Sequence, residues 1–397
     1  MKETQSVIKD HQFANKAPQK GIGLCLSGGG YRAMLFHLGT LWRLNELGLL
    51  PQLDRVSSVS GGSIVSAYLA LKWDELNFDT GGTSQGFEQA VVGPIRDLAS
   101  KTVIDVGSGL KAVVLPGSVS DKVAKGYKKH LFGDATLQDI TDYPRFVINA
   151  TNVQSGVLWR FMKPYMRDYR VGEIKNPETS LALAVAASSA FPPFLSPARL
   201  KLDPAKYSAP DSAKEDLHFE PFTTDVYLTD GGVYDNLGLE TVYKRYRTVL
   251  VSDGGGQTEA QAEPHSDWPR HTYRVLNIID NQVRARRKIE LIRSYIEGKS
   301  ARARLGDRAE EDPSWRDGAY WGIRSNYSDY SVDEPLDCPH SATMELAKVP
   351  TGLEKLDSRL QERLINWGFA VSDAALRKHF DPGFPVPGGF PYPGGVK

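Results

Sequence analysis

Between Ile22 and Trp73 an apolar run breaks into glycines and restarts as a helix, twice in succession, and this doubled unit limits the fold more than any other feature of the chain. Ile22 to Leu26 reads as a short buried strand, Ser27-Gly28-Gly29-Gly30 as a turn, and Tyr31 to Leu47 as a helix. That helix carries Met34, Leu38, Leu41 and Leu44 toward one face and stops at Gly48. The second copy runs from an apolar stretch around Leu53 to Val59, through the turn Ser60-Gly61-Gly62, into an apolar helix from Ser63 to Trp73. Further strands are expected at Arg145 to Ala150, Val226 to Thr229 and Thr248 to Ser252, with helical stretches between several of them. Such alternation predicts an α/β fold in which a largely parallel central sheet is covered by helices.

At 397 residues, 41% hydrophobic and 24% charged, the chain is long enough for a full core and close to the average globular composition. Forty-eight basic residues balance 48 acidic ones, which removes the long-range field expected of a nucleic-acid binder. Cys25 and Cys338 stand far apart, which argues against a disulfide framework and against a cysteine-ligated metal. The polar N-terminus from Met1 to Lys20 lacks the apolar core of a secretory signal, and Leu181 to Phe191 is too short to span a bilayer. Cytoplasmic residence is therefore expected, with any lipid met from the side.

The organisation expected is a polar tail over 1–19, the α/β domain over 20–270, a mainly helical accessory part over 271–380 and a Pro/Gly-rich tail over 381–397. The accessory part rests on helical patterns at Gln282 to Glu297 and Leu353 to Lys378. Phe78 to Phe87 and Asp203 to Phe219 read as surface loops, and no internal repeat is present. Lys101 to Leu131 mixes Val103, Ile104, Leu110, Val113, Val114 and Leu115 with Lys111, Lys122, Lys125, Lys128 and Lys129. It reads either as an interfacial segment or lid, or as an amphipathic element packed on the core.

Ester hydrolysis through a serine needs an exposed hydroxyl, a base for its proton and donors aimed at the developing oxyanion. The literal G-x-S-x-G, Gly82 to Gly86 around Ser84, lacks the apolar strand that would aim its serine and reads as a loop. Ser58-Val59-Ser60-Gly61-Gly62 lacks the first glycine, yet it lies between a strand and an apolar helix. Ser60 is thus preferred as nucleophile over Ser63, which starts the helix as a capping hydroxyl. The N–H groups of Gly28, Gly29 and Gly30, with a helix behind them, are candidates for an oxyanion hole. The same turn satisfies G-x-G-x-x-A, but Asp54 lies at the wrong end of the next strand for a ribose contact. Asp230-Gly231-Gly232 and Asp253-Gly254-Gly255 each follow an apolar strand, and local pattern barely separates them as the base. A triad using His265 or His271 has no supporting pattern.

Together, Ser27-Gly28-Gly29-Gly30-Tyr31-Arg32, Val59-Ser60-Gly61-Gly62-Ser63 and Asp230-Gly231-Gly232 resemble, in that order, the motifs of the patatin-like phospholipases. Ala187-Ser188-Ser189-Ala190-Phe191-Pro192 is similar to the segment that family carries between elbow and aspartate. The resemblance covers Lys20 to Glu240. It implies a three-layer α/β/α fold and a Ser60–Asp230 dyad without histidine, with Asp253 structural. It also implies an oxyanion hole at Gly28, Gly29 and Gly30, supported by Arg32, Gly61, Gly62, Gly231 and Gly232. Arg32 would brace the turn or meet a phosphate. A phospholipid or lysophospholipid substrate follows, with peripheral membrane contact and with neither cofactor nor metal, since the nucleophile is the protein's own. The alternatives are hydrolysis or transfer of a non-lipid ester or thioester, and a silent binding protein of the same fold.

Overall fold

Two strand-turn-helix units open the structure: β1 (Gln19–Leu26) with α1 (Gly30–Glu46), then β2 (Leu53–Val59) with α2 (Gly61–Lys72). The computed structural model describes residues 17–104, 119–208, 216–256 and 260–397. Beyond the two units come α3 (Gly93–Ala99), α4 (Val119–Tyr127), β3 (Arg145–Asn152), β4 (Val157–Phe161), β5 (Tyr165–Asp168) and β6 (Gly172–Lys175). Next are α5 (Leu181–Ser188), β7 (Ala198–Lys201), β8 (Tyr207–Ser208), β9 (Asp225–Asp230), α6 (Gly232–Asp235), α7 (Glu240–Tyr243) and β10 (Tyr246–Asp253). The chain closes with α8 (Trp268–Leu305), β11 (Asp317–Gly322), α9 (His340–Ala347) and α10 (Ser358–His379).

The centre of the sheet is parallel in the order β11-β10-β1-β2-β3. Beyond β3 an antiparallel meander, β4-β5-β6-β8, widens it, and β7 and β9 join antiparallel. The period-two pleat feeds two cores from one strand. On β1, Leu24 and Leu26 enter the large core beneath α1, whereas Cys25 enters a smaller one with Val242, Val249, Val251 and Leu291. Helices therefore cover both faces, giving three α/β/α layers.

α1 is buried nearly all round, not only along its apolar stripe. α10 packs across its polar side, and the crossing is close: a Cβ on Gly39 would lie 1.9 Å from the Ile365 carbonyl oxygen, and one on Gly368 1.8 Å from that of Phe36. The polar groups enclosed there are paired. Arg43 bonds Asp373 at 2.8 Å, and Arg377 meets the same carboxylate at 2.8 Å. His37 Nε2 donates to the Ser27 carbonyl (2.9 Å), which leaves Nδ1 to accept from the Ser252 hydroxyl (2.8 Å). This neutral tautomer ties the ends of β1 and β10 to α1, and burial pushes the imidazole down to about 4.

Within 271–380, β11 pairs in parallel with β10 and so belongs to the central sheet. The two expected helices occur as α8, longer at both ends than its apolar pattern, and α10. The 381–397 tail forms no helix or strand; Tyr392 and Gly395 accept from the Asn366 amide. Much of Lys101 to Leu131, including Leu110, Lys111, Val113, Val114 and Leu115, lies outside the described residues. Val103 and Ile104 at its start pack on the core, with Val103 N–H bonded to Leu353 O (3.0 Å). No helix among the described residues is long and apolar enough to cross a membrane.

Candidate active site

Sheet register brings Ser60 to Asp230. β2 runs parallel to β3 as far as the pair Val59–Asn149, and β9, antiparallel, takes over the same edge of β3 at Ala150–Asp230. Two strands thus meet head-on along one edge, and the residue that follows β2 faces the last residue of β9. β9 opposes the parallel strands, so the site lies at a junction between strands running in opposite directions.

Ser60 has φ 52° and ψ −119°, a backbone conformation that non-glycine residues rarely hold, as a strained elbow between strand and helix demands. The surroundings keep it there. Its N–H donates to Ser188 Oγ (3.0 Å), whose own hydroxyl donates to Asn149 O (2.6 Å). A Cβ on Gly61 would lie 2.2 Å from Gly30 O, and one on Gly62 2.5 Å from Leu26 O, so the elbow docks on the first glycine turn by backbone contact. The Ser63 hydroxyl caps nothing. It is fully buried, 2.9 Å from Ser188 Oγ and 3.1 Å from Ser58 Oγ, so the hydroxymethyl of Ser58 joins a serine network instead of crowding the turn. Ser84 is buried too, its Oγ bonded to Leu76 O (2.5 Å) and its N–H to Asn45 (2.9 Å).

Asp230 is buried, receives Gly232 N–H at 2.7 Å, and lines the same cavity as Ser60, close enough for the serine side chain to act on its proton affinity. Loss of solvent raises its carboxyl to about 7; the Gly232 and Ser60 donors pull it down, and the nearby Asp280 adds to the rise. Gly231 N–H bonds Ser188 O (3.3 Å). Asp253 sits in a different setting. Burial pushes it up, but Arg284, the Tyr320 hydroxyl (2.7 Å) and Gly255 N–H (2.9 Å) outweigh that and hold it below the usual range. Neither His265 nor His271 shares a hydrogen bond with Ser60 or Asp230; His271 Nδ1 lies against the His265 carbonyl (3.1 Å).

The glycine turn is divided. Gly28 N–H donates to both the backbone and side-chain oxygens of Asn236, each at 3.1 Å, so it is already engaged. Among the described residues, no acceptor takes the N–H groups of Gly29, Gly30 or Gly61. Gly29 has φ 143°, which L side chains rarely adopt, and this places two successive free donors at the start of α1. Arg32 is buried and braces the turn: Nε donates to Gly254 O (3.1 Å) and Nη1 to Val349 O. Asn236, in turn, donates to both carboxylate oxygens of Asp280 (3.1 and 3.0 Å).

Ser60, Asp230 and the three glycines open into a cavity of about 560 Å³. Phe191, Phe194, Leu195 and Tyr273 supply an apolar wall, with Tyr273 against Phe191 (6.1 Å between centroids) and Phe194 (5.9 Å). Sequence reasoning missed Ser188 as a ligand of the elbow, and missed Asn236, Asp280 and Tyr273 altogether. These act through contacts across the fold, and no local spacing marks them.

Fold and site together define an α/β protein that presents a serine on a strand-helix elbow beside a buried carboxyl. A model of the patatin-like phospholipase family matches residues 24–243, more than half of the chain, and the chain belongs to that family. Among solved structures, human GIVD cytosolic phospholipase A2 is similar with a TM-score of 0.52 and 15% identity, over 94% of this chain and 62% of that one. The same human protein in complex with methyl gamma-linolenyl fluorophosphonate inhibitor and terbium chloride gives a TM-score of 0.50 and 14% identity, over 89% and 58%. At such identities these likenesses establish the fold. The putative meiotic phospholipase SPO1 of Saccharomyces cerevisiae is 39% identical over 61 residues, which is 15% of this chain and 10% of that relative. The chain spans less than two thirds of the length of each of these relatives.

Proposed function

We propose that the protein is a serine acyl hydrolase that cleaves the acyl esters of phospholipids or lysophospholipids, with Ser60 as nucleophile and Asp230 as base. One observation carries this reading. A serine held at positive φ is brought by the sheet register beside a carboxyl that burial has raised to about 7, and both line a cavity with an apolar wall. A base near neutrality can take a proton and return it at working pH. Asp230 accepts the Ser60 proton as Oγ adds to the acyl carbonyl. Gly29 and Gly30, with Gly61 as the residue after the nucleophile, donate to the tetrahedral oxyanion. Asp230 then passes the proton to the departing alcohol and activates the water that releases the acid. Arg32, Gly62, Gly231 and Gly232 hold this geometry, and Gly28 does so through Asn236. The acyl chain lies along Phe191, Phe194 and Leu195, and the lipid is reached by peripheral contact with a membrane or micelle.

Hydrolysis of a short-chain nitrophenyl ester and of mixed phospholipid vesicles, compared for wild type, Ser60→Ala, Ser63→Ala and Asp230→Asn, tests the proposal. The expected result is loss with Ser60→Ala and Asp230→Asn, and retention with Ser63→Ala. Loss with Ser63→Ala in a folded protein, or activity surviving Ser60→Ala, would overturn the dyad. A folded wild type inert on every ester would favour the binding-protein alternative.

A further inference from the structure

α8 lays one face along the cavity, where Arg270, Tyr273, Arg274, Asn277, Asp280 and Arg284 recur at three- and four-residue steps. Its inner end is level with Ser60. Asp280 holds Asn236, Asn236 holds Gly28, and a Cβ on Gly28 would lie 3.2 Å from Ser60 Cβ. Further out, Tyr273 sits against the apolar wall.

Cationic side chains from five residues line this cavity: Arg32, Arg270, Arg274, Arg284 and Lys348. Three are engaged elsewhere. Arg32 bonds the carbonyls of Gly254 and Val349, Arg270 pairs with Asp267 at 2.7 Å, and Arg284 is fixed by Asp253, Gly256 O and Asn281. Among the described residues, Arg274 and Lys348 have no hydrogen-bond or ion-pair partner for their charged groups. The lining carboxyls lie at the inner end, where Asp230 accepts from Gly232 N–H and Asp280 from the Asn236 amide. An incoming anion thus meets two unengaged cations beyond the reactive serine.

The separation suits one kind of molecule. Six residues part Arg274 from Asp280, about 9 Å along the helix axis. The roughly five or six bonds from an ester carbonyl to the headgroup phosphorus span somewhat less than this rise, and the long unengaged side chain of Arg274 can reach back over the difference. A guanidinium also presents the planar fork that binds phosphate oxygens in pairs.

We propose that Arg274, assisted by Lys348, forms an anion subsite that takes the phosphate of the lipid while the acyl chain lies against Phe191 and Phe194. The assignment of that phosphate to a lipid substrate rests on the acyl-hydrolase reading. Arg274, not Arg32, then selects phosphate-bearing lipids over neutral acylglycerols.

Binding separates this subsite from the chemistry. In a Ser60→Ala background, 1-oleoyl lysophosphatidic acid and 1-oleoyl glycerol, both below their micellar concentrations, are titrated by calorimetry, with inorganic phosphate as ligand and competitor. The expected preference for the phosphate-bearing lipid is at least tenfold. Adding Arg274→Gln collapses that ratio toward one, and adding Arg274→Lys restores part of it. Three outcomes overturn the proposal: an unchanged ratio in Arg274→Gln, equal weakening of both lipids, or inorganic phosphate binding as tightly as the lysolipid, which marks a free-anion site. A wild type that hydrolyses no ester defeats the acyl-hydrolase reading and leaves these titrations to judge the subsite alone.

Discussion

Replacing Asp230 by asparagine tests the idea that the site stores cost in a buried carboxyl. The side chain keeps its shape and an oxygen for Gly232 N–H, and loses only its ionisation. In the unfolded chain an aspartate ionises near pH 3.9, whereas burial raises Asp230 in the folded protein to about 7. Between those values the unfolded chain releases a proton that the folded chain retains, so stability falls as pH rises through this window and levels off above about 7. At about 1.36 kcal/mol for each tenfold change in proton affinity, the full cost is about 4 kcal/mol. About 2.5 kcal/mol of it accrues between pH 5 and pH 8. Denaturant unfolding of both proteins at these two pH values isolates the group, because every other titration is shared. Asp230→Asn is expected to be the more stable protein at pH 8, by a margin about 2.5 kcal/mol larger than at pH 5, while hydrolysis is lost. Wild-type kcat/KM should rise through a limb near pH 7 as the base ionises. A stability difference that does not change with pH, together with a flat rate profile from pH 5 to pH 8, would refute the argument.

Further outcomes follow from the same geometry. Gly61→Ala drives a Cβ to 2.2 Å from Gly30 O, so the elbow and the glycine turn must separate; hydrolysis should fall by about a hundredfold or more in kcat. Asn236→Ala frees Gly28 N–H and unties Asp280, and a turn displaced at the oxyanion should lower kcat by about ten- to a hundredfold with a smaller change in KM. His37 acts with the opposite sign to Asp230. Its folded-state proton affinity is depressed to about 4, so its contribution is complete above pH 6.5 and is lost on acidification through that range, about 3 kcal/mol in all. Acid unfolding of His37→Gln beside wild type should show a shallower loss between pH 6.5 and pH 4.

Ser60 and Asp230 explain why the site is costly on both sides. A non-glycine elbow at positive φ costs of order 1–3 kcal/mol, and an elbow glycine would avoid it only by surrendering the hydroxyl. The rest of the fold holds both in place: Ser188 fixes the elbow N–H, and backbone contacts at Gly61 and Gly62 lock the turn. The serine cluster of Ser58, Ser63 and Ser188 seals the space behind it.

Alternation of short apolar runs with helices was enough to place β1, α1, β2 and α2 and to expect parallel strands at β3 and β10, because period and turn chemistry are local properties. The preference for Ser60 over the literal motif at Ser84 was local as well, since only Ser60 follows a buried strand. Asp230 and Asp253 could not be divided this way. Both end apolar strands before glycines, and only tertiary structure sets one beside Ser60 and the other against Arg284 and Tyr320. That β9 runs antiparallel and meets β2 head-on was also invisible, because strand direction depends on pairing partners far away in the chain. The long reach of α8 and its side chains in the cavity were hidden for the same reason: its partners, Asn236, Phe191 and Asp253, lie elsewhere in sequence. Sequence determined which residues could do chemistry, through residue type and local period. Tertiary structure decided which of them stand together, because proximity and desolvation, which set a carboxyl's proton affinity, arise only when distant segments pack.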